Sequence, residues 1–250
     1  MSEPAWIEGA GNRFALLDAL SGGPPADPPG LARALGSDPR RADGLLVLDR
    51  DASGRLAMTV WNRDGSRPEA CGNGLRCLAR YAAEAGHAPI GRPFEIATDA
   101  GVRRAVVSAG GGTRVSMGRP RRLGEHAVEL GGERVRGIAV DLGNPHLVLP
   151  RRTLCDAEVA IHGARLERDP RFPGGTNVEF VVAGGSRLVA RVWERGVGET
   201  AACGTGACAA AAVLAASLPA MVELPGGVLE VSEEDGELWL AGPVAPLGAG

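Results

Sequence analysis

The chain has 250 residues and a net charge of −3, which is long enough for one large or two smaller globular domains. All 27 of its basic residues are arginine, and the absence of lysine excludes chemistry that needs a lysine amine, such as a pyridoxal phosphate Schiff base. Acidic and basic residues are interspersed without a basic stripe, which argues against nucleic acid as a partner.

Signals for export, membrane insertion and metal binding are weak. The N-terminal segment has neither a cationic start nor a long apolar run, so a cytoplasmic location is predicted. The stretch 200–222 is uncharged but consists mostly of small residues, which predicts a buried helix of a soluble protein instead of a membrane span. The histidines and cysteines lack metal-ligand spacing, so no metal is predicted.

Along the chain, short apolar runs alternate with turn residues. Segment 21–30 is rich in Pro and Gly and predicts a surface loop. Helices are predicted over Leu75 to Ala85, closed by Gly86, and over Ala207 to Leu218, closed by Pro219. Residues 184–186 predict a hairpin turn. Strands are predicted at 45–48, 56–61, 102–107, 114–117, 134–142, 146–149, 178–182, 188–193 and within 228–240.

Two segments of the chain repeat one pattern 132 positions apart. A Trp lies ten residues before Cys71 and another lies ten residues before Cys203, and the same offset maps Gly11-Asn12 onto Gly143-Asn144. The repeat predicts an α+β chain of two similar domains related by a pseudo-twofold axis, each a curled, mostly antiparallel sheet around a buried central helix. We predict an N-terminal half, 1–117, and a C-terminal half, 118–235, with a tail of about 236–250 packing back onto the first.

Cys71 and Cys203 each stand where a loop becomes a predicted helix, and each is followed by glycine. Helix starts have unpaired N–H groups and a positive local dipole, which attract carboxylates and favour thiol ionisation. One sulfur can then remove a Cα hydrogen while the other delivers a proton to the opposite face, which inverts a stereocentre without a cofactor. The substrate carboxylate would be held by the first N–H groups of the helices, those of Gly72, Asn73, Gly204 and Thr205.

A structural interpretation stands beside this one. Cys77, Cys155 and Cys208 share no repeated environment and are predicted to be structural. For Cys71 and Cys203 the alternative is a non-catalytic module whose helix starts hold a dicarboxylate, or a disulfide between the two cysteines.

A series of motifs over most of the chain resembles the diaminopimelate epimerase family. The motifs are Gly11-Asn12-Arg13-Phe14, Ala42-Asp43-Gly44-Leu45-Leu46, Asn62-Arg63-Asp64-Gly65-Ser66, Ala70-Cys71-Gly72-Asn73-Gly74-Leu75-Arg76-Cys77, Gly143-Asn144-Pro145-His146, Gly175-Thr176-Asn177, Glu194-Arg195-Gly196-Val197-Gly198-Glu199-Thr200 and Ala202-Cys203-Gly204-Thr205-Gly206.

The resemblance implies a cofactor-independent epimerase that interconverts LL- and meso-diaminopimelate in lysine and peptidoglycan precursor biosynthesis, and a homodimer. It implies that Cys71 and Cys203 are the acid and base pair, with His146 and Glu194 as further catalytic residues near them. It also implies a set of substrate-binding residues: Asn12, Asn62, Gly72, Asn73, Asn144, Asn177, Glu194, Arg195, Gly204 and Thr205.

The chain departs from the family pattern at Arg13, where Asp is common, and at Gly44, where many members have Gln. Both flank pocket motifs and bear on substrate positioning. A related racemase acting on another amino acid, such as histidine, therefore stays as an alternative. Proline-type relatives resemble Cys-Gly-His-Gly in the first motif, so Asn73 argues against them.

Overall fold

A computed structural model describes residues 3–68 and 70–247, which divide into two compact units. The first unit contains the chain up to Ser116 and the segment from Ala241 onward, and the second is Met117–Leu240. In both units the described residues are mostly strand with a few helices, which confirms the predicted α+β class.

The first unit combines a sheet with one long and two short helices. Its elements are β1 (Ala5–Gly9), β2 (Asn12–Asp18), α1 (Ala19–Gly22), α2 (Pro28–Gly36), β3 (Gly44–Arg50), β4 (Leu56–Asn62), α3 (Gly72–Glu84), β5 (Phe94–Thr98), β6 (Gly101–Val107) and β7 (Thr113–Gly118), in which the unit ends.

The second unit has a comparable order of elements. They are β8 (Arg121–Leu130), β9 (Glu133–Asp141), β10 (Pro145–Pro150), α4 (Asp156–Glu167), β11 (Asn177–Gly184), β12 (Arg187–Glu194), β13 (Gly198–Thr200), α5 (Gly204–Leu214), β14 (Ala220–Leu224), β15 (Gly227–Glu234) and β16 (Glu237–Gly242), in which the unit ends. The last strand, β17 (Val244–Pro246), belongs to the first unit and pairs antiparallel with β1.

The two units repeat one order of strand pairing. In the first, β1/β2 is antiparallel, β2/β3 parallel, β3/β4 antiparallel, β4/β5 parallel and β5/β6 antiparallel. In the second, β9, β10, β11, β12, β14 and β15 are linked by the same succession of antiparallel and parallel pairs. The repeat in the sequence is therefore a repeat of supersecondary structure, and antiparallel pairing predominates as predicted.

The two long helices that follow the cysteine motifs are the central helices of their units. α3 packs on β1, β2, β3, β4 and β6, and α5 packs on β9, β10, β11, β12, β14 and β15. Residues 204–211 of α5 are all buried, because small side chains allow close approach on every side. In the part of the chain that the structure describes, no helix has the length and apolar character needed to cross a membrane.

Outer helices cover the opposite face of the middle strands. Ala32 and Leu35 of α2 share a core with alternate residues of β3, and Val159 and Leu166 of α4 share one with alternate residues of β11. Because β3 and β11 are covered on both faces, the sequence of each strand is a short and nearly continuous apolar run. Their remaining alternate residues face the central helices.

The structure corrects several predicted boundaries and adds α1, α2 and α4, and both central helices begin three residues earlier than predicted, at Gly72 and Gly204. α5 ends at Leu214 and not at Leu218, since the Ala216 N–H leaves the helix to bond the Gly185 carbonyl in the β11–β12 turn. The predicted loop 21–30 ends earlier, because Pro28 begins α2 under an Asp27 cap. The sequence patterns did not predict α4, whose apolar periodicity is weak.

Candidate active site

Cys71 forms the N-cap of α3. Its backbone is extended, and its sulfur accepts a hydrogen bond from the Gly74 N–H at 3.3 Å. A Cβ on Gly74 would lie 3.0 Å from that sulfur and 2.8 Å from Leu46 Cδ2, so glycine is needed for the thiol to cap the helix. Cys71 itself is partly buried. The fold therefore places this thiol at the helix start, as the sequence predicted.

Several predicted residues of the first unit lie around this helix start. Gly72 and Asn73 form its first turn and are buried. Asn12, at the start of β2, accepts a hydrogen bond from Asn73 Nδ2 at 2.6 Å. Asn62 ends β4, where its Nδ2 donates to Ser66 Oγ at 3.0 Å. The structure thus joins Asn12 and Asn73 directly and assigns Asn62 to the turn that follows β4.

Cys203 forms the N-cap of α5 in the same way. Its backbone is extended, and its sulfur accepts a hydrogen bond from the Gly206 N–H at 3.4 Å. The Thr205 hydroxyl lies 3.4 Å from the same sulfur. Cys203 is 5% exposed, and Gly204, Thr205 and Gly206 are buried. The two thiols therefore share one local structure, each bonded to the third N–H of its helix.

Glu194, at the end of β12, is the acidic neighbour of Cys203. Its carboxylate accepts a hydrogen bond from Thr200 Oγ1 and is hydrogen-bonded to the Cys203 thiol. Burial raises the pKa of Glu194, and these two hydrogen bonds counteract the increase in part. Glu194 is thus placed to exchange a proton with Cys203.

The sequence predicted that a helix start favours ionisation of a thiol, and at Cys203 the effect is present but burial outweighs it. Burial raises the pKa of Cys203 well above its ordinary value, and the negative charge of Glu194 raises it further. Hydrogen bonds from Thr205 and Gly206 act in the opposite direction without overcoming them. Desolvation outweighs the helix terminus at this position, so Cys203 needs a proton acceptor to become a thiolate.

His146 is fully buried and lies near the α5 helix start. Its Nδ1 is 2.6 Å from Glu179 Oε1, and its Nε2 is 2.9 Å from Asn144 Oδ1. Asn144 Nδ2 donates to Thr205 Oγ1 at 3.4 Å. Glu179 was not among the site residues predicted from the sequence. A signal was available, because Glu179 is a charged residue inside the apolar run 178–182.

Asn177 connects two strand ends of the second unit. Its Oδ1 accepts from the Arg195 N–H at 3.0 Å, and its Nδ2 donates to the Pro145 carbonyl at 2.9 Å. The Arg195 guanidinium donates to the Gly174 carbonyl at 3.2 Å and borders a cavity of about 380 Å³. Asn177 therefore fixes the backbone from which the Arg195 side chain extends.

The two departures from the family pattern have different surroundings. Arg13 is exposed, 3.7 Å from Glu8, and borders a cavity of about 650 Å³ that also has Arg41 and Arg63 in its lining. A Cβ on Gly44 would lie 2.9 Å from the Trp61 carbonyl oxygen. Glycine at position 44 is thus explained by close packing between β3 and β4.

The remaining cysteines are not part of the two caps. Cys77 is fully buried inside α3, and burial raises its pKa to about 12. Cys208 is buried inside α5, and Cys155 is exposed at the start of α4. Among the described residues, no three His, Cys, Asp or Glu side chains are grouped closely enough to hold a metal ion.

Comparison with known proteins agrees with the resemblance of the motifs. The family model described as diaminopimelate epimerase matches residues 8–123 and 138–245. The diaminopimelate epimerase of Moorella thermoacetica is 39% identical over 269 residues, covering 96% of this chain and 95% of that protein. The diaminopimelate epimerase of Desulforudis audaxviator is 40% identical over 264 residues, covering 95% and 94%.

Solved structures share the fold at low sequence identity. A predicted epimerase of Pseudomonas aeruginosa has a TM-score of 0.73 at 17% identity, covering 99% of this chain and 98% of that one. A hydroxyproline epimerase of Agrobacterium vitis has a TM-score of 0.71 at 15% identity, covering 98% and 90%. These likenesses concern the fold, whereas the family model and the sequence relatives span nearly the whole chain. The chain therefore belongs to the diaminopimelate epimerase family, and the enzyme is an isomerase.

Proposed function

We propose that this enzyme interconverts LL- and meso-diaminopimelate by proton transfer at one α carbon, with Cys71 and Cys203 as the two bases and without a cofactor. The observation that carries the proposal is the repeated thiol cap: each sulfur accepts the third N–H of a central helix. The names of the sequence relatives support the choice of substrate. The reaction supplies precursors of lysine and peptidoglycan.

In the proposed reaction a thiolate takes the α hydrogen as a proton, and the electron pair of the broken C–H bond delocalises into the α-carboxylate. The other thiol donates its proton to the opposite face of the carbon, so atoms and charge balance over one turnover. Backbone N–H groups at the helix starts stabilise the charge that develops on the carboxylate oxygens. The residues that supply them are Gly72, Asn73, Gly204 and Thr205.

Glu194 and His146 serve the Cys203 thiol in this proposal. Burial and the charge of Glu194 raise the pKa of Cys203. The Cys203 thiol therefore becomes a thiolate when it passes its proton to the adjacent Glu194 carboxylate. Glu194 accepts this proton readily, since burial raises its own pKa. His146 holds Asn144 in place beside the same helix start.

The remaining assigned residues would recognise the distal amino-acid end of the substrate. Arg195 has a planar guanidinium that can hold a carboxylate through two parallel hydrogen bonds. Neutral amides orient the same carboxylate and the ammonium without adding charge, and Glu194 also faces the ammonium side. The amides are those of Asn12, Asn62, Asn144 and Asn177. We further propose a cytoplasmic homodimer.

Turnover of matched amino acids in deuterium oxide tests the substrate assignment. Reduced enzyme is incubated separately with LL-diaminopimelate and with L-histidine, and loss of each α-proton signal is followed by proton NMR. The proposal predicts exchange and formation of the meso isomer from diaminopimelate at a rate at least about 100-fold above that with histidine. If the α proton of histidine exchanges faster than that of diaminopimelate, the substrate assignment is wrong, whereas the two-thiol mechanism is retained.

A further inference from the structure

Glu167, the last residue of α4, is an acid that the proposed reaction does not use. Its Oε1 accepts a hydrogen bond from the Gly196 N–H at 2.8 Å, and its Oε2 accepts one from Trp193 Nε1 at 2.8 Å. Both partners can only donate, so the two oxygens are the two acceptors of one carboxylate. Glu167 therefore binds the chain on both sides of the site residues Glu194 and Arg195.

Local stability does not explain an acid at position 167. A negative charge in the last turn of a helix faces the negative end of the helix dipole. The 132-position offset of the sequence repeat maps Glu167 onto Leu35, in the last turn of α2. The same offset maps Trp193 onto Trp61. The first unit thus has an apolar residue where the second has a carboxylate.

The first unit also shows that the tryptophan packs without a carboxylate beside it. Leu35 belongs to an apolar cluster against which Trp61 packs. Trp61 Nε1 is buried without a hydrogen-bond partner among the described residues. A carboxylate is therefore not needed to seat the indole on the outer helix, and the contact of Glu167 that has no such explanation is the one with Gly196.

A close fit between α4 and β12 brings Glu167 to this contact. A Cβ on Gly163 would lie 2.7 Å from Trp193 Cβ, so the helix approaches the strand end closely because position 163 is glycine. Glu167 is four residues further along α4 and lies on the same side of the helix. The packing of α4 thus sets the carboxylate beside the turn that follows β12.

Arg195 lies in that turn. The Val197 N–H bonds to the Glu194 carbonyl at 3.1 Å, and Gly196 has a φ of 77°, which favours glycine at the third position of a turn. The central peptide group of the turn joins Arg195 to Gly196. Its N–H is the one that Glu167 Oε1 accepts, so the carboxylate fixes the orientation of this peptide group.

The Arg195 side chain rests on a loop that Glu167 also supports. A Cβ on Gly175 would lie 3.0 Å from Arg195 Cδ, and the guanidinium donates to the Gly174 carbonyl at 3.2 Å. The Glu167 carbonyl accepts the Thr176 N–H at 3.0 Å. Glu167 is therefore bonded both to the turn that carries Arg195 and to the loop against which the Arg195 stem packs.

We propose that Glu167 is a positioning residue, whose carboxylate fixes the Arg195–Gly196 peptide group and so directs the Arg195 guanidinium toward the distal carboxylate of the substrate. This role rests on the proposed function, in which Arg195 binds that carboxylate. A guanidinium that makes two parallel hydrogen bonds depends on its orientation as well as on its charge. Loss of the Glu167 contact therefore weakens substrate binding although Arg195 keeps its charge.

Steady-state kinetics with diaminopimelate tests the role. Glu167→Leu introduces the residue of the first unit and should raise KM about fivefold, the effect expected for loss of the hydrogen bond to the turn. The kcat should stay within about twofold, because the Glu194 carboxylate keeps its own bonds to Thr200 and Cys203. Glu230→Gln, at an exposed position of β15, is the control and should leave both constants unchanged. A fall in kcat at constant KM would refute the role assigned to Glu167.

An isosteric variant gives a prediction that general destabilisation does not. The amide of Glu167→Gln has one acceptor and one donor group, so one of the two N–H groups, from Gly196 or Trp193, faces another N–H. This variant should also raise KM about fivefold. Trp193→Phe removes one of the two donors and should restore KM in Glu167→Gln to within about twofold of wild type, but not in Glu167→Leu. Failure of Trp193→Phe to restore KM in Glu167→Gln would contradict the bonding described.

A double-mutant cycle shows whether Glu167 acts through Arg195. With Arg195→Lys already present, Glu167→Leu should raise KM by less than about twofold, because the paired contact that depends on orientation is already lost. If the separate effects of the two substitutions multiply in the double variant, Glu167 acts independently of Arg195 and the proposal is wrong.

Hydrogen exchange separates this inference from the choice of substrate. In isotope-labelled protein, the exchange rate of the Gly196 amide is compared by NMR with that of the Gly185 amide, in the turn before β12. Glu167→Leu should raise this ratio about fivefold, because the Gly196 N–H loses its acceptor, and an unchanged ratio would overturn the proposal. If wild type turns over no diaminopimelate, the proposed function fails, whereas the exchange ratio still decides whether Glu167 holds the turn.

Discussion

At the scale of single residues, the two units differ in the residue that ends the strand before each thiol. Asn62 ends β4 and Glu194 occupies the equivalent position at the end of β12. Only the second of these can take up a proton, and it is hydrogen-bonded to Cys203. The repeat therefore provides two similar caps, and the strand end that accompanies the second one carries a carboxyl group.

Replacing Glu194 by Gln should change the pH dependence of catalysis. Because burial raises the pKa of Glu194, the acid limb of kcat/KM should lie above the ordinary glutamate value of about 4.3. The enzyme is active when the Glu194 carboxylate is ionised, and activity is lost as the pH falls through the raised pKa of Glu194. Glu194→Gln should remove this limb and lower kcat about 100-fold. An unaltered profile in the variant would exclude Glu194 as the proton acceptor.

The same substitution should affect stability with a defined sign. A group whose pKa is raised by folding contributes stability that is fully present below its unfolded pKa and is lost as pH rises through the folded value. Glu194 therefore destabilises the fold at neutral pH relative to a neutral isostere. Thermal unfolding at pH 7 should show Glu194→Gln melting about 2 °C above wild type, with the difference disappearing near pH 4. A lower Tm at pH 7 would contradict the raised pKa.

Arg195 offers a test of distal recognition. Lysine keeps the charge but cannot make two parallel hydrogen bonds to a carboxylate. Arg195→Lys should raise KM for diaminopimelate about tenfold, with kcat changed much less, because the contact is present in both ground and transition states. Steady-state kinetics checks the split between the constants. A fall in kcat at constant KM would instead show that Arg195 acts on the proton-transfer step and not on binding of the distal carboxylate.

At the scale of elements, each thiol depends on a glycine in the first turn of its helix. A Cβ on Gly74 would press on both Cys71 Sγ and Leu46. Gly74→Ala should lower the free energy of unfolding by about 1–3 kcal/mol through overpacking, measured by urea denaturation. Gly110→Ala is the matched control, since a Cβ there meets nothing within 4 Å. Equal stability of the two variants would show that the cap tolerates a side chain.

Elements were predictable where local pattern decides structure. Many of the strands, among them β3, β4, β11 and β12, follow from short apolar runs and turn residues, and both thiol caps lie where the sequence placed them. The end of α5 was not predictable, because it depends on a hydrogen bond from Ala216 to Gly185, distant in sequence. The contact of Glu179 with His146 was not predictable for the same reason, since the two residues lie 33 positions apart in the sequence.

At the scale of the whole molecule, the two units share one arrangement of elements and differ in the residues beneath their central helices. Both units use one order of strand pairing around one buried helix. The first unit keeps Phe14 and Leu46 beneath its helix, whereas the second has His146 and Glu179. Two similar thiol caps, one in each unit, suit a reaction that removes a proton on one face and supplies one on the other.

The central claim is that both thiols transfer a proton in each turnover. Its most direct test is proton NMR of LL-diaminopimelate in deuterium oxide with reduced wild type, Cys71→Ala and Cys203→Ala, with Cys155→Ala as the control for loss of a thiol elsewhere. Wild type and Cys155→Ala should exchange the α proton and form the meso isomer, and neither of the other variants should epimerise. Formation of the meso isomer by Cys71→Ala or Cys203→Ala at a rate near that of wild type would contradict the two-thiol mechanism.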